Sequence, residues 1–203
     1  GHCVIVCSQG AKAVQTSVDV VQDVLQSNET SIAMLAPTFP AVFPEMDAET
    51  VIGAVRQLGF SQVVEVAFGA DLVNKAYNSM LHSLHRDEAA VQPPILATSC
   101  PAIVSYVEKY APDLVPNLAP IVSPMIAMAR VARKYYGADA NVVFVGPCTA
   151  KKLEILEDGL EDDVDEVLTF DELRQLWDAN GIKPEEAAPT DFDPPQGYLG
   201  RAY

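Results

Sequence analysis

Two cysteines stand where strand-like runs stop. Ile95-Leu-Ala-Thr-Ser-Cys100-Pro101 and Val142-Val-Phe-Val-Gly-Pro-Cys148 each carry a short apolar stretch to a cysteine touched by a proline. A thiol placed this way can be a nucleophile, a zinc ligand, an iron–sulfur ligand or a buried inert group. A nucleophile needs a histidine base, and His2, His82 and His85 all lie away from the strand ends. Zinc sites draw on cysteines paired at short spacing, which neither Cys100 nor Cys148 has. An iron–sulfur cubane has four corners that can be gathered from across a fold, so single cysteines on separate loops suit it. Iron–sulfur ligation is the favoured chemistry, with inert buried thiols as the alternative.

A second pair, Cys3 and Cys7, has Cys-x3-Cys spacing, which alone also fits two small buried apolar residues. Its wording resembles the tail of a bacterial ferredoxin repeat, Cys-x2-Cys-x2-Cys-x3-Cys-Pro, with Ser8 in place of the proline. Residues 1–14 are therefore expected to be the tail end of a ferredoxin-like iron–sulfur module. Without the upstream cysteines, Cys3 and Cys7 cannot hold a four-iron cluster.

The 203 residues suit about one domain with a real core. Thirteen basic against 28 acidic residues give a net charge of −15, which disfavours nucleic acid and anionic membranes as partners. No run of about 18 apolar residues and no signal-peptide pattern occurs, so membrane insertion and export are not expected and the reading is cytoplasmic. In that compartment cysteines are more often metal ligands or redox groups than disulfides. The chain opens at Gly1 inside a cysteine pattern and stops at Tyr203 without a capped element, as an excised piece of a longer protein would.

Four apolar runs read as strands: 31–36, 63–67, 95–98 and 142–145. Helical patterns alternate with them. One lies near 15–29. A second follows Asp47 with Val51, Ala54, Val55 and Leu58 inward, and a third follows Gly69 with Ala70, Val73, Tyr77, Met80, Leu81 and Leu84 inward. Pro101 opens another with Ile103, Val104, Val107, Tyr110 and Ala111 as its buried stripe. Ser123-Pro124 opens the next with Met125, Met128, Ala129, Ala132 and Tyr136 inward. Thr169-x2-Glu172 is a capping box for a helix burying Leu173, Leu176 and Trp177, whereas 157–166 reads as a solvated acidic surface. The expected fold is α/β, a four-stranded, mainly parallel sheet with flanking helices, forming one lobe beside a cleft. In such sheets ligands sit beyond the carboxyl ends of the strands, where both Cys100 and Cys148 are expected.

Thr98-Ser99-Cys100-Pro101 and Gly146-Pro147-Cys148-Thr149-Ala150-Lys151-Lys152-Leu153-Glu154 resemble the first two signatures of the iron-only (di-iron) hydrogenases, Thr-Ser-Cys-Cys-Pro-x-Trp and Met-Pro-Cys-x2-Lys-x2-Glu. The likeness continues through Ala36-Pro37, 68–72, Asn117-Leu118 and Ser123-Pro124 to Gly197-Tyr198. It implies that residues 15–203 are the N-terminal lobe of a hydrogenase catalytic-cluster domain, cut before the third cysteine signature. It also implies that Cys100 and Cys148 bind the four-iron (4Fe-4S) part of the cofactor. Lys151 would donate to a cyanide of the di-iron part, Glu154 would orient the lysine loop, and Ser123 and Pro124 would line the cofactor. Expected partners are upstream ferredoxin-type clusters, molecular hydrogen and a downstream signalling module. With two ligands of four, this stretch alone is expected to be apo and inactive.

The departures point to slow turnover. Ser99 stands where the family has its proton-relay cysteine, and a hydroxyl is a poorer relay than a thiol. Ala76-Tyr77-x2-Met80 replaces Glu-Glu-x2-Glu, and Ala119 stands at a relay serine. Ile103 replaces the tryptophan of the first signature and Gly146 the methionine of the second. The resemblance is therefore to the sensory, hydrogen-sensing branch or to a slow hydrogenase. The alternatives are an iron–sulfur electron-transfer or cluster-scaffold protein without hydrogenase activity, and an interaction domain that has lost its cluster.

Overall fold

The structure is a computed structural model that describes residues 2–27, 29–84 and 94–197, without the side chains of His2, Cys3 and Leu84. The side chains of Cys3, expected in the ferredoxin-like tail, and of Leu84, expected inward, together with His85 and with Tyr198 of the family likeness, lie outside the described residues. In chain order the helices are α1 (His2–Ile5), α2 (Val18–Gln26), α3 (Phe39–Val42), α4 (Ala48–Gln57), α5 (Ala67–Leu84), α6 (Pro101–Tyr110), α7 (Pro124–Tyr136), α8 (Lys151–Glu154) and α9 (Phe170–Ala179). The strands are β1 (Ser31–Leu35), β2 (Gln62–Glu65), β3 (Asn141–Gly146) and β4 (Glu166–Thr169).

The four strands form one parallel sheet in the order β2-β1-β3-β4. Every residue of β1 is buried, as is β3 from Val142 to Gly146. Their runs of Ile, Ala, Met, Val and Phe suit strands covered on both faces, where no polar alternation is required. The crossover from β1 to β2 runs one way across the sheet and that from β2 to β3 the other. With right-handed connections this puts α4 on one face and α5 with α7 on the opposite one. The contacts agree: α7 packs on β1, β3 and α5, whereas α9 packs on β3, β4 and α2. Trp177 of α9 is fully buried against Phe43 and α4, with its indole N–H donating to the Ala54 carbonyl at 3.1 Å. Each such large side chain contributes about 1.5–3 kcal/mol by leaving water.

Most helical stripes fall where the periodicity puts them, including Met125, Met128, Ala129 and Ala132 of α7 and Leu173, Leu176 and Trp177 of α9. The capping box at Thr169 and Glu172 is formed in both directions. Several expectations are corrected. The run 95–98 is no strand of the sheet; Leu96 instead makes one isolated parallel bridge to Leu118, with its N–H given to Asn117 and its carbonyl taken by Ala119. Its backbone is satisfied locally, so it has no need of the sheet. The fourth strand is β4, at the end of the acidic run. That run is only partly solvated, because Asp163 and Asp165 pair with Arg130 and Arg133 of α7, both at 2.8 Å, and Val164 is buried.

The stripes of α5 and α6 are corrected as well: Leu81, expected inward on α5, is 44% exposed. Val107 is buried, but Ile103 is 49% and Tyr110 74% exposed, and Leu153 and Leu156 beside α8 are exposed as well. No helix among the described residues is long and apolar enough to cross a membrane.

Candidate metal centre

The strand order reverses between β1 and β3, so a crevice opens beyond their carboxyl ends. Ala36-Pro37 follows β1 and Pro147-Cys148 follows β3, which brings both loops to this crevice. It holds a cavity of about 230 Å³, lined mainly by apolar groups that include Ala36, Val73, Pro124 and Phe144, with Ser99 and Lys151 as the polar contributors.

Lys151 arrives by a tight turn. Its N–H donates to the Cys148 carbonyl at 3.3 Å, and the single turn of α8 places Lys151 and Glu154 on one inward face. The ammonium donates to Ser123 Oγ at 2.9 Å and to Glu154 Oε2 at 2.7 Å. All three groups are buried, at 9%, 1% and 4% exposure. Ser123 is the N-cap of α7, yet its hydroxyl accepts from Lys151 and does not cap the helix. Two of the three ammonium protons are thus engaged within the protein, leaving one for a ligand in the cavity.

Cys100 is exposed at the N-cap of α6, Cys148 is half-buried, and both are free thiols. Because 95–98 is outside the sheet, Cys100 does not end a sheet strand as Cys148 does. Its loop is fixed instead by α5. The Thr98 N–H donates to the Tyr77 hydroxyl at 2.8 Å, and Thr98 Oγ1 donates to the carbonyls of Ala119 and Ile121. Tyr77 therefore acts as a structural staple at the position where the family likeness expects a relay carboxylate. Cys7 is a half-buried free thiol in the N-terminal segment. Among the described residues no group of three or more His, Cys, Asp or Glu could hold a metal ion.

Gly146 is required by its neighbours. A Cβ there would stand 2.5 Å from Phe144 Cζ and 3.0 Å from the Ala36 Cβ. The Phe144 ring occupies the space that a side chain at 146 would need, and it forms part of the cavity wall.

Sequence reasoning missed a polar cluster beneath this loop. Lys152 donates to Ser17 Oγ and, at 2.9 Å, to Glu172 Oε1; the Ser17 N–H donates to the same Glu172 oxygen at 2.9 Å, and its hydroxyl to Glu166 at 2.9 Å. The signals were Lys152 beside Lys151 and Glu172 in its capping box, but a bond spanning 155 residues has no local signature. Burial alone would raise the Glu172 carboxyl, but hydrogen bonds from Thr169, Ser17 and Lys152 outweigh this and hold it below the usual carboxylate range. A depressed folded-state pKa contributes stability above the unfolded carboxyl range and loses it as pH falls through the folded value. Glu172→Gln is expected to cost about 1–3 kcal/mol at neutral pH. In urea unfolding the gap from wild type should close as pH drops below about 4, and a gap unchanged with pH would contradict this assignment.

The profile of the family described as "Iron only hydrogenase large subunit, C-terminal domain" matches residues 29–202. The NADP-reducing hydrogenase subunit HndD of Solidesulfovibrio fructosivorans is 30% identical over 97% of this chain and 38% of its own length. A cytosolic Fe-S cluster assembly factor, NAR1 of Yarrowia lipolytica, is 32% identical over 71% of this chain and 32% of its own length. In fold, the chain is similar to a variant of the FeFe-hydrogenase HydA1 from Chlamydomonas reinhardtii, with a TM-score of 0.79 at 24% identity, covering 91% of this chain and 52% of that one. The chain thus spans well under two thirds of each of these relatives. With the profile running nearly the whole length of the folded domain, and a relative at 30% identity matched along almost all of the chain, this protein belongs to the iron only hydrogenase large subunit, C-terminal domain family.

Proposed function

We propose that this domain forms one wall of a hydrogen-responsive site, in a slow or hydrogen-sensing variant of the iron-only hydrogenases. The observation that carries the reading is Lys151: a buried ammonium with one donor to spare, on the wall of an apolar cavity between the loops of Cys100 and Cys148. A plain four-iron cluster has no cyanide for that donor to hold, whereas a di-iron unit bearing cyanide would accept from it. The residues fit one side of such a cofactor, with two free thiols for the four-iron part and, for the rest, a cavity lined by Ser99 next to Cys100 and by Lys151 three residues after Cys148. When bound, the cofactor would supply the metal centre at which hydrogen is split.

The chain's own residues would do three things. Cys100 and Cys148 would contribute two of the cluster's thiolates, the other two lying outside this sequence. Lys151, held by Ser123 and Glu154, would orient the di-iron part, and the apolar wall would keep water from it. Ser99 lines the cavity with a hydroxyl where a thiol would move protons better, and Tyr77 is committed to Thr98, which favours slow turnover and hence sensing. Residues 1–14 would be the tail of an iron–sulfur electron-delivery module, and a signalling module the recipient of the output. The second reading, a cluster scaffold or electron-transfer protein in the cytoplasm, is favoured by the similarity to the assembly factor NAR1.

The test is infrared spectroscopy of the whole protein, co-expressed with hydrogenase maturation enzymes, in the carbon monoxide and cyanide stretching region with and without hydrogen. Hydrogen-responsive bands with little turnover are expected. A four-iron signal with no such bands would leave the scaffold reading standing alone.

A further inference from the structure

Behind the Lys151 pair lies a second space, an open groove of about 360 Å³ whose lining includes Thr98, Val104, Ser123, Glu154, Glu157 and Leu160. Ser123 and Glu154 thus face the groove while bonded to the ammonium that faces the cavity. We propose that Glu157 is the solvent-side end of a proton route running from Glu157 through Glu154 to Lys151 and the cavity, in place of the relay that Ser99, Tyr77 and Ala119 do not provide. The proposal rests on the cofactor reading above.

The geometry suits a relay. Glu154 and Glu157 sit one turn apart, with the Glu157 N–H donating to the Glu154 carbonyl at 3.2 Å, and both line the groove. Glu154 Oε2 is 2.7 Å from Lys151 Nζ, within direct transfer distance. Burial pushes the Glu157 carboxyl up, and the charges of Glu154 and of Glu108 on α6 push it further against the opposing pull of Lys151. A carboxyl poised above the ordinary range both accepts and releases protons nearer neutral pH. In each passage Lys151 first gives a proton to Glu154, and the neutral amine, turned toward the cavity, then takes one from it, so its charge is restored. Glu154 hands its proton across the groove, directly or through water, to Glu157, which releases it to solvent. Isotope exchange needs no more than this: hydrogen and heavy water become HD and HDO, one proton leaving and one deuteron entering, with no electron acceptor.

The experiment compares the whole, cofactor-loaded protein with its Glu157→Gln and Glu157→Asp variants, measuring hydrogen exchange with heavy water by mass spectrometry. Infrared titration of the carboxylic-acid stretch in the cofactor-free protein gives a readout independent of turnover. Glu157→Gln should slow exchange about a hundredfold, Glu157→Asp should restore most of it, and the acid stretch that persists above the usual carboxylate range should vanish in Glu157→Gln. Wild-type exchange rates in Glu157→Gln, or an acid stretch unaffected by it, would overturn the route alone. A wild-type protein with no exchange and no hydrogen-responsive bands would overturn the cofactor reading and the route together.

Discussion

Lys151→Met should destabilise the domain by about 3–5 kcal/mol. The substitution keeps the volume of the aliphatic stem but strands the Glu154 carboxylate, which is 4% exposed and takes a 2.7 Å bond from the ammonium. It also leaves the buried Ser123 hydroxyl without its donor. The cost is that of an uncompensated buried charge, so it should shrink when the partner is removed too. Lys151→Met with Glu154→Leu should recover at least half of the loss in urea unfolding, because a well-packed apolar pair can match a buried ion pair. If the two single variants simply add, Lys151 and Glu154 are not coupled and the ammonium is not held as described. Glu154→Gln should be milder, since the amide carbonyl still accepts from Lys151.

The second large effect is expected at Gly69. A Cβ on this residue of α5 would lie 2.2 Å from the carbonyl oxygen of Pro124 and 2.9 Å from the Met128 Cβ. Backbone cannot yield as a side-chain tip can, so even Gly69→Ala must push α5 and α7 apart. Overpacking of this kind costs about 1–3 kcal/mol, occasionally more, and a contact with main chain belongs at the upper end. The displaced end of α7 carries Ser123, Pro124 and Met125, so the cavity wall and the Lys151 anchor move with it. Thermal unfolding would report the lost stability. A crystal structure of the variant should show the Lys151 to Ser123 bond lengthened, and an unaltered bond in a fully stable variant would contradict the tight crossing.

Where sequence and structure agree, local periodicity was enough. The inward faces of α4, α7 and α9 repeat at helical spacing between clear start and stop residues, and the capping box at Thr169 announces α9. Where they part, partners distant in sequence decided. Ile95 to Thr98 has the composition of a strand but finds its hydrogen bonds in the segment around Asn117 to Ala119. Val167 and Leu168 form too short a run among acidic residues to stand out, yet pairing with β3 makes them a strand. The family motifs single out Cys100, Cys148, Lys151 and Glu154 as candidates, and the structure adds what holds their loops: Ser123 for Lys151, Tyr77 for the Cys100 loop, and Ser17 with Glu172 for Lys152. Phe144 and Gly146 are legible only as a pair, since the ring of one fills the space of the other.

The strand order also sets a timetable. β1 lies at the middle of the sheet, but its inner neighbour is β3, roughly a hundred residues further along the chain. During synthesis β1, α4 and β2 can collapse early, leaving one edge of β1 open until β3 emerges. Cys148 and Lys151 follow directly on β3, so the strand that fills the open side of β1 is also the one that delivers the second half of the candidate site. The crevice between β1 and β3 comes into being in that same event. A nascent chain therefore has no crevice until β3 joins β1, and the loops of the candidate site meet while the edge strand β4 is still to be added.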